Sequence, residues 1–171
     1  MPNMTSANFA GLEGDCAMPV AIQMVVDYVQ ELKDSQERLV LIVGRPGSGK
    51  SKIMRELGLN RGWRYVDCRE LVTDELLELV PKARPREAPH IMDRMLERER
   101  ADVILLDNVQ VLFTPILNLD PLELLRQLGR KHAIVAAWPG DYADGRLGYM
   151  EAGLPEPKRF PAAELKVIEI G

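Results

Sequence analysis

The stretch Leu39 to Ser51, LVLIVGRPGSGKS, constrains this chain more than any other. Its apolar run, Leu39 to Val43, reads as a strand buried on both faces. Gly44-x4-Gly49-Lys50-Ser51 follows at once and satisfies the phosphate-binding loop pattern in full. Glycines let the backbone turn tightly and bring amide N–H groups within reach of phosphate oxygens. Lys50 is expected to reach the β- and γ-phosphates as a point charge, and Ser51 to put its hydroxyl on Mg²⁺. A helix beginning near Lys50 adds its positive end to the site. The nucleotide-contacting set is therefore Gly44, Arg45, Pro46, Gly47, Ser48, Gly49, Lys50, Ser51 and Lys52. The loop pattern alone does not separate ATP from GTP.

A loop of this kind needs an acid at the tip of a second apolar strand to hold Mg²⁺. Asp107, closing VILLD, fits, so Ser51 and Asp107 form the expected metal pair. Asn108 follows, where many ATPases with an inserted strand between the two motifs carry the water-orienting glutamate. An amide positions a water but does not take up its proton as a carboxylate does. Lys50, Asp107 and Asn108 are thus the catalytic candidates, with slow or partner-completed hydrolysis expected.

The 171 residues suit one α/β domain, 46% hydrophobic and 28% charged. A net charge of −4 gives no global field to attract nucleic acid, which weakens a DNA-binding reading and leaves direct DNA contact only to a local patch. Cys16 and Cys68 are too few for a disulfide framework or a zinc site, and His90 and His132 share no ligand spacing. No signal peptide or membrane span is apparent, so a cytoplasmic location is expected.

Residues 1–18 read as a loose N-terminal arm and 19–171 as a single domain. Val20 to Lys33 has helical spacing, with Pro19 in its first turn. Lys50 to Leu57 is a helix ended by Gly58 and Asn60. Trp63 to Asp67 is a strand, Leu71 to Val80 a short helix, and Pro81 to Pro89 a proline-broken basic segment. Helix Ile91–Arg100, strand Asp102–Asp107, a helix from Asp120 to about Leu128 and strand Ala133–Trp138 follow. Asp141 to Pro161 lacks periodicity and reads as a long loop, and Leu165 to Ile170 as an edge or last strand. Alternating strands and helices predict a three-layer parallel sheet with its site at the strands' carboxyl ends.

Several weaker candidates accompany these. Trp138 ends the strand after Asp107 and reads as packing, with Asp141 and Tyr142 beyond it. Arg126, Arg130, Arg146 and Arg159 are all available as a trans-acting arginine, and nothing ranks them. Lys82, Arg84 and Arg86 read as a solvated loop able to touch phosphate backbone.

The order of elements resembles the ASCE branch of P-loop NTPases that includes AAA-type ATPases. GRPGSGKS, VILLDNVQVLF, DPLELLRQLGRKHAIVAAWPG and GRLGYMEAGLPEPKRF together resemble the BrxF family, small P-loop proteins of type III BREX bacteriophage-exclusion systems. The resemblance runs from about Leu39 to Phe160. It implies ATP and Mg²⁺ as ligands, with Gly44, Gly49, Lys50 and Ser51 on nucleotide and Asp107 with Asn108 as the acidic station. It also implies other type III BREX components as partners, with self-association. The segment Gly148-Tyr149-Met150-Glu151 has no assigned chemistry and is expected to order the pocket or face a partner. The chain has no room for the helical lid of AAA-type ATPases, which again points to slow or partner-stimulated turnover. A small nucleoside-type kinase and a non-catalytic nucleotide-binding scaffold are the alternatives.

Overall fold

The computed structural model describes residues 6–8, 14–149 and 155–171, with side chains from Met18 onward in those ranges. Its main sheet is six-stranded, and every pairing is parallel. The strands are β1 (Ser6–Asn8), β2 (Leu39–Gly44), β3 (Arg64–Asp67), β4 (Ile104–Asp107), β5 (Ile134–Pro139) and, last in sequence, β9 (Lys166–Glu169). Their spatial order is β1-β9-β2-β5-β4-β3. All six residues of β2 are buried, as the unbroken apolar run requires of a strand covered on both faces.

Alternate residues of the sheet feed two separate cores. Leu39, Leu41, Val43, Ile104, Leu106 and Ile134 pack on one side beneath α4 (Arg84–Glu97) and α5 (Pro121–Gly129). Val40, Ile42, Leu105 and Val135 pack on the other beneath α1 (Gly14–Glu31) and α2 (Lys50–Arg61). The three layers expected from the pattern are therefore present. β5 lies between the loop-bearing β2 and the acid-tipped β4. That order makes the fold a P-loop NTPase fold of ASCE or AAA-like arrangement, with no helical lid among the described residues. None of the described helices is long and apolar enough to cross a membrane.

Local departures from the sequence reading have physical causes. Ser6–Asn8, inside the expected arm, pairs with Val167–Glu169, while residues 1–5 and 9–13 lie outside the described set. Helix α1 starts at Gly14, so Pro19 falls in its second turn rather than its first. Helix α2 passes through Gly58 and ends one turn later. Gly62 adopts φ 70° there, and its N–H caps the Gly58 carbonyl at 3.1 Å. The expected helix over 71–80 shrinks to α3 (Asp74–Leu77), preceded by a 3-10 turn at Cys68–Leu71. Conversely, α4 absorbs the proline-broken segment. Pro85 sits in the first turn, where a missing N–H costs nothing, and Ala88, Ile91, Met92 and Leu96 bury one face.

The largest correction concerns 141–161, expected as a long loop. It contains a second, antiparallel sheet of β6 (Asp141–Ala143), β7 (Arg146–Tyr149) and β8 (Lys158–Pro161). Asp144 and Gly145 turn the β6–β7 hairpin with φ of 53° and 73°, the two positive angles of a type I′ turn. Met150 and Glu151 lie outside the described residues. The final strand is last but is not an edge, because β9 is flanked by β1 and β2.

Candidate functional site

The loop after β2 has the backbone its glycines permit. Gly47 and Gly49 take φ of 84° and 104°, where a side chain would be strained. Gly44 is required for a different reason: a Cβ there would collide with the Ser48 hydroxyl. Gly49 caps α2 with no side-chain bond to the helix's first amides. The first helical bond runs from Ile53 N–H to the Gly49 carbonyl at 3.2 Å, which leaves the preceding amides for an external acceptor.

Lys50 is held by the loop itself. Its Nζ donates to the Gly44 carbonyl, to the Arg45 carbonyl at 2.9 Å and to Ser48 Oγ at 3.4 Å. Burial lowers its pKa, and the charge of Asp107 partly offsets this. Lysine and acid therefore sense each other across the site.

A cleft of about 1030 Å³ opens at the carboxyl ends of the strands. Arg45, Pro46, Gly47, Gly49, Lys50, Ser51 and Lys52 form one wall, with Asp107 and Asn108 in the same cleft. Gly44 and Ser48 sit beneath this wall rather than on it. The cleft is also lined by Pro139 and Gly140 at the tip of β5, by Asp141, Gly148 and Tyr149 of the small sheet, and by Pro157 just before β8.

Asp107 is 4% exposed and is fixed through both oxygens. Tyr65 Oη donates to Oδ2 at 2.6 Å, and the Asn108 N–H donates to Oδ1 at 2.9 Å. Tyr65 belongs to β3, whose register sets Asp67 directly beside Asp107. Its phenol is pushed up to about 12, first by burial and then by the Asp107 carboxylate. Asn108 adopts the left-handed conformation, φ 57°, which asparagine tolerates. Its Nδ2 donates to Asp67 Oδ2 at 2.9 Å, and its Oδ1 accepts from Gln110 Nε2 at 3.2 Å. Asp67 is held below the usual carboxylate range chiefly by its bonds to Arg69.

Trp138 is fully buried and packs, as expected. Its Nε1 donates to the Gly148 carbonyl at 3.1 Å, and its ring meets Phe113 and Phe160 edge-on at 5.0 and 5.3 Å. Phe113 in turn lies 3.8 Å from the Tyr149 ring. These four aromatics fasten the small sheet to the main one beside the cleft.

Other candidates fall elsewhere. Arg84 is 6% exposed and donates to the Leu77 and Ile116 carbonyls, so it ties two loops together and is not a solvated charge. Arg126 is locked between Glu37 and Glu164. Cys68 is buried, with its thiol pushed up by that burial; the side chain of Cys16 lies outside the described residues. His132 bonds Asp93 at 2.5 Å. Sequence reasoning missed Tyr65 and Asp67, because only the register of β3 against β4 brings them beside Asp107 and Asn108, and it missed Gln110, which reaches Asn108 locally from the 3-10 turn that follows it.

The donor set suits a polyphosphate: unpaired first-turn amides, one lysine, and the cations Arg45, Lys52 and Arg55 along the same wall. Among the described residues no cluster of three or more His, Cys, Asp or Glu could hold a metal by itself. A magnesium ion bridging phosphate, a hydroxyl and one carboxylate through water needs no such cluster.

No protein-family model and no curated protein matches this sequence. Among solved structures it is similar to PCH-2 of C. elegans, at 16% identity and a TM-score of 0.39, over 90% of this chain and 41% of that one. It is likewise similar to a chain from a structure on katanin self-assembly, at 16% identity and TM-score 0.39, over 75% of this chain and 44% of that one. The chain spans less than half the length of either, and at these scores the likeness says nothing about activity.

Proposed function

We propose that this chain binds ATP with Mg²⁺ and hydrolyses it slowly or on stimulation by a partner, as a BrxF-type component of a type III BREX phage-defence complex. The reading rests on one observation: Lys50, Ser51 and Asp107 line a single cleft at the carboxyl edge of a parallel sheet. The amides of Gly47 and of Gly49 to Lys52, with the Lys50 ammonium, take the β- and γ-phosphates, the Ser48 N–H being given to the Arg45 carbonyl. Ser51 and Asp107 would hold Mg²⁺, which would supply neutralisation of charge on the phosphate oxygens. Asn108 turns its Nδ2 to Asp67, and its amide oxygen, which accepts one bond from Gln110, has a second lone pair with which to orient a water. With no carboxylate at that position to take the proton, turnover is slow.

The nucleotide state reaches partners through the 3-10 segment Val109–Phe113 directly after Asn108, whose Phe113 stacks on Tyr149 of the small sheet. Partners are other type III BREX proteins, with self-association, in the cytoplasm. The test is calorimetric titration with Mg·ATP and Mg·GTP, then phosphate release by the protein alone, with its system partners, and with phage-type DNA. Partner-stimulated release is expected, with binding weakened by Lys50→Ala and Mg²⁺ dependence lost in Asp107→Ala. Absence of any nucleotide binding refutes the reading. Transfer to a small acceptor would make the chain a kinase, and tight binding without turnover under any condition would make it a scaffold.

A further inference from the structure

The small sheet carries an ion pair whose placement the packing does not require. Asp141, Gly148 and Arg159 are register partners across β6, β7 and β8 and form one row on one face. Gly148, in the middle, leaves room for the outer two to meet over it. Arg159 Nη1 donates to Asp141 Oδ1 at 2.7 Å, and a Cβ on Gly148 would strike both side chains. Asp141 and Gly148 line the cleft, and Arg159, which does not, is bonded to the lining Asp141.

A short chain of contacts ties that row to the lysine. Lys50 Nζ donates to the Gly44 carbonyl, and the same carbonyl accepts the Gly140 N–H at 3.1 Å. Gly140 abuts the Gly148 carbonyl so closely that any side chain there would collide with it. Through Gly140 and Gly148 the row therefore adjoins the tip of β5, the strand between the phosphate loop and the Asp107 strand. The pair is also loosely kept: its side chains are 37% and 46% exposed, and a half-exposed ion pair is weak. A polyphosphate entering the cleft carries more charge than Asp141 and competes for the guanidinium. Arg126, another arginine candidate, is held by Glu37 and Glu164, neither of which lines the cleft as Asp141 does.

We infer that Arg159 is a cis-acting arginine for phosphoryl transfer, parked on Asp141 and handed to the γ-phosphate when a nucleoside triphosphate fills the cleft. This rests on the nucleotide-hydrolysing reading above. In the step it serves, the oxygen of water bonds to the γ-phosphorus as the bond from that phosphorus to the β–γ bridging oxygen breaks. ADP leaves with the electron pair, and the proton of the attacking water passes to phosphate oxygen and solvent. The planar guanidinium of Arg159 spreads over the equatorial oxygens where charge gathers.

The experiment compares wild type, Arg159→Ala and Arg159→Lys for binding of Mg·ADP, Mg·ATP and Mg·ADP with aluminium fluoride, and for turnover. Arg159→Ala is expected to bind Mg·ADP as wild type does. It should lose at least about 100-fold in affinity for the fluoride complex and roughly 10³-fold in kcat, with KM little changed. Arg159→Lys keeps the stem and the charge but loses the fork, and restores only a small part. Asp141→Asn, which frees the guanidinium, should tighten Mg·ATP binding in the wild-type background and have no such effect on Arg159→Ala. Equal fluoride-complex affinity in wild type and Arg159→Ala overturns the inference while nucleotide binding stands. So does a wild type that binds Mg·ATP but prefers the fluoride complex no more than Mg·ADP. A chain that binds no nucleotide takes down both readings.

Discussion

Replacing Tyr65 by Phe removes one oxygen and tests how Asp107 is held. Asp107 is 4% exposed, and its Oδ2 takes the Tyr65 hydroxyl at 2.6 Å while Oδ1 takes the Asn108 amide at 2.9 Å. A hydrogen bond to a charged group contributes about 1.5–3 kcal/mol. Tyr65 is itself 38% exposed, so water partly replaces the lost hydroxyl. The expected loss is therefore about 1–2 kcal/mol. For a chain of this length each kcal/mol lowers Tm by about 2–4 °C, so a fall of about 2–8 °C is expected. Since the phenol is pushed up to about 12, the loss should stay constant through the neutral and mildly alkaline range. Urea denaturation of wild type, Tyr65→Phe, Asp107→Asn and the double variant measures it and isolates the coupling. A Tyr65→Phe change within about 0.3 kcal/mol of wild type, or no coupling to Asp107→Asn, refutes the argument.

Burial lowers the Lys50 pKa, so on raising pH the free protein loses this proton before an ordinary lysine would; a bound triphosphate restores the charged form. Triphosphate binding in the alkaline range just below the ordinary lysine value should thus take up protons, read by calorimetry in buffers of different ionisation heat, and zero uptake or release contradicts this. Asn108→Glu replaces the amide that donates to Asp67 with a second carboxylate; the repulsion raises the pair's folded pKa, so the variant should be destabilised by about 1–2 kcal/mol at neutral pH and recover as pH falls below the carboxylate range. Urea midpoints against pH check that sign. Arg84→Ala should cost about 2–4 kcal/mol, because it strands the Leu77 and Ile116 carbonyls, and hydrogen exchange should rise at 77–83 and 115–118 rather than across the sheet.

The legible parts of the sequence were those where one strong local pattern had one physical meaning. Five apolar residues followed by spaced glycines and a lysine located β2, its loop and α2, and the acid-tipped run located β4. The Asp120 cap was equally direct, since its carboxylate accepts the Glu123 N–H at 3.0 Å. Failures came where long-range context outweighed local signals. Four buried apolar residues override Pro89 inside α4, and Pro85 falls in the first turn, where it is tolerated. Glycines and prolines between 141 and 161 hid a hairpin whose Asp144-Gly145 turn was itself a readable signal. Tyr65 was not readable as a partner of Asp107, because only the pairing of two strands about forty positions apart brings them together.

The placement of β9 sets the order in which this molecule can be completed. β2, the strand that launches the phosphate loop, touches β5 on one side and β9 on the other, and β1 attaches only to β9. During synthesis the Val40–Val43 flank of β2 stays uncovered until residues 166–169 leave the ribosome. Contacts so distant along the chain form late, and an apolar strand with a bare edge invites pairing with a neighbouring nascent chain. The emergence of residues 166–169 is thus the event that shields this apolar strand.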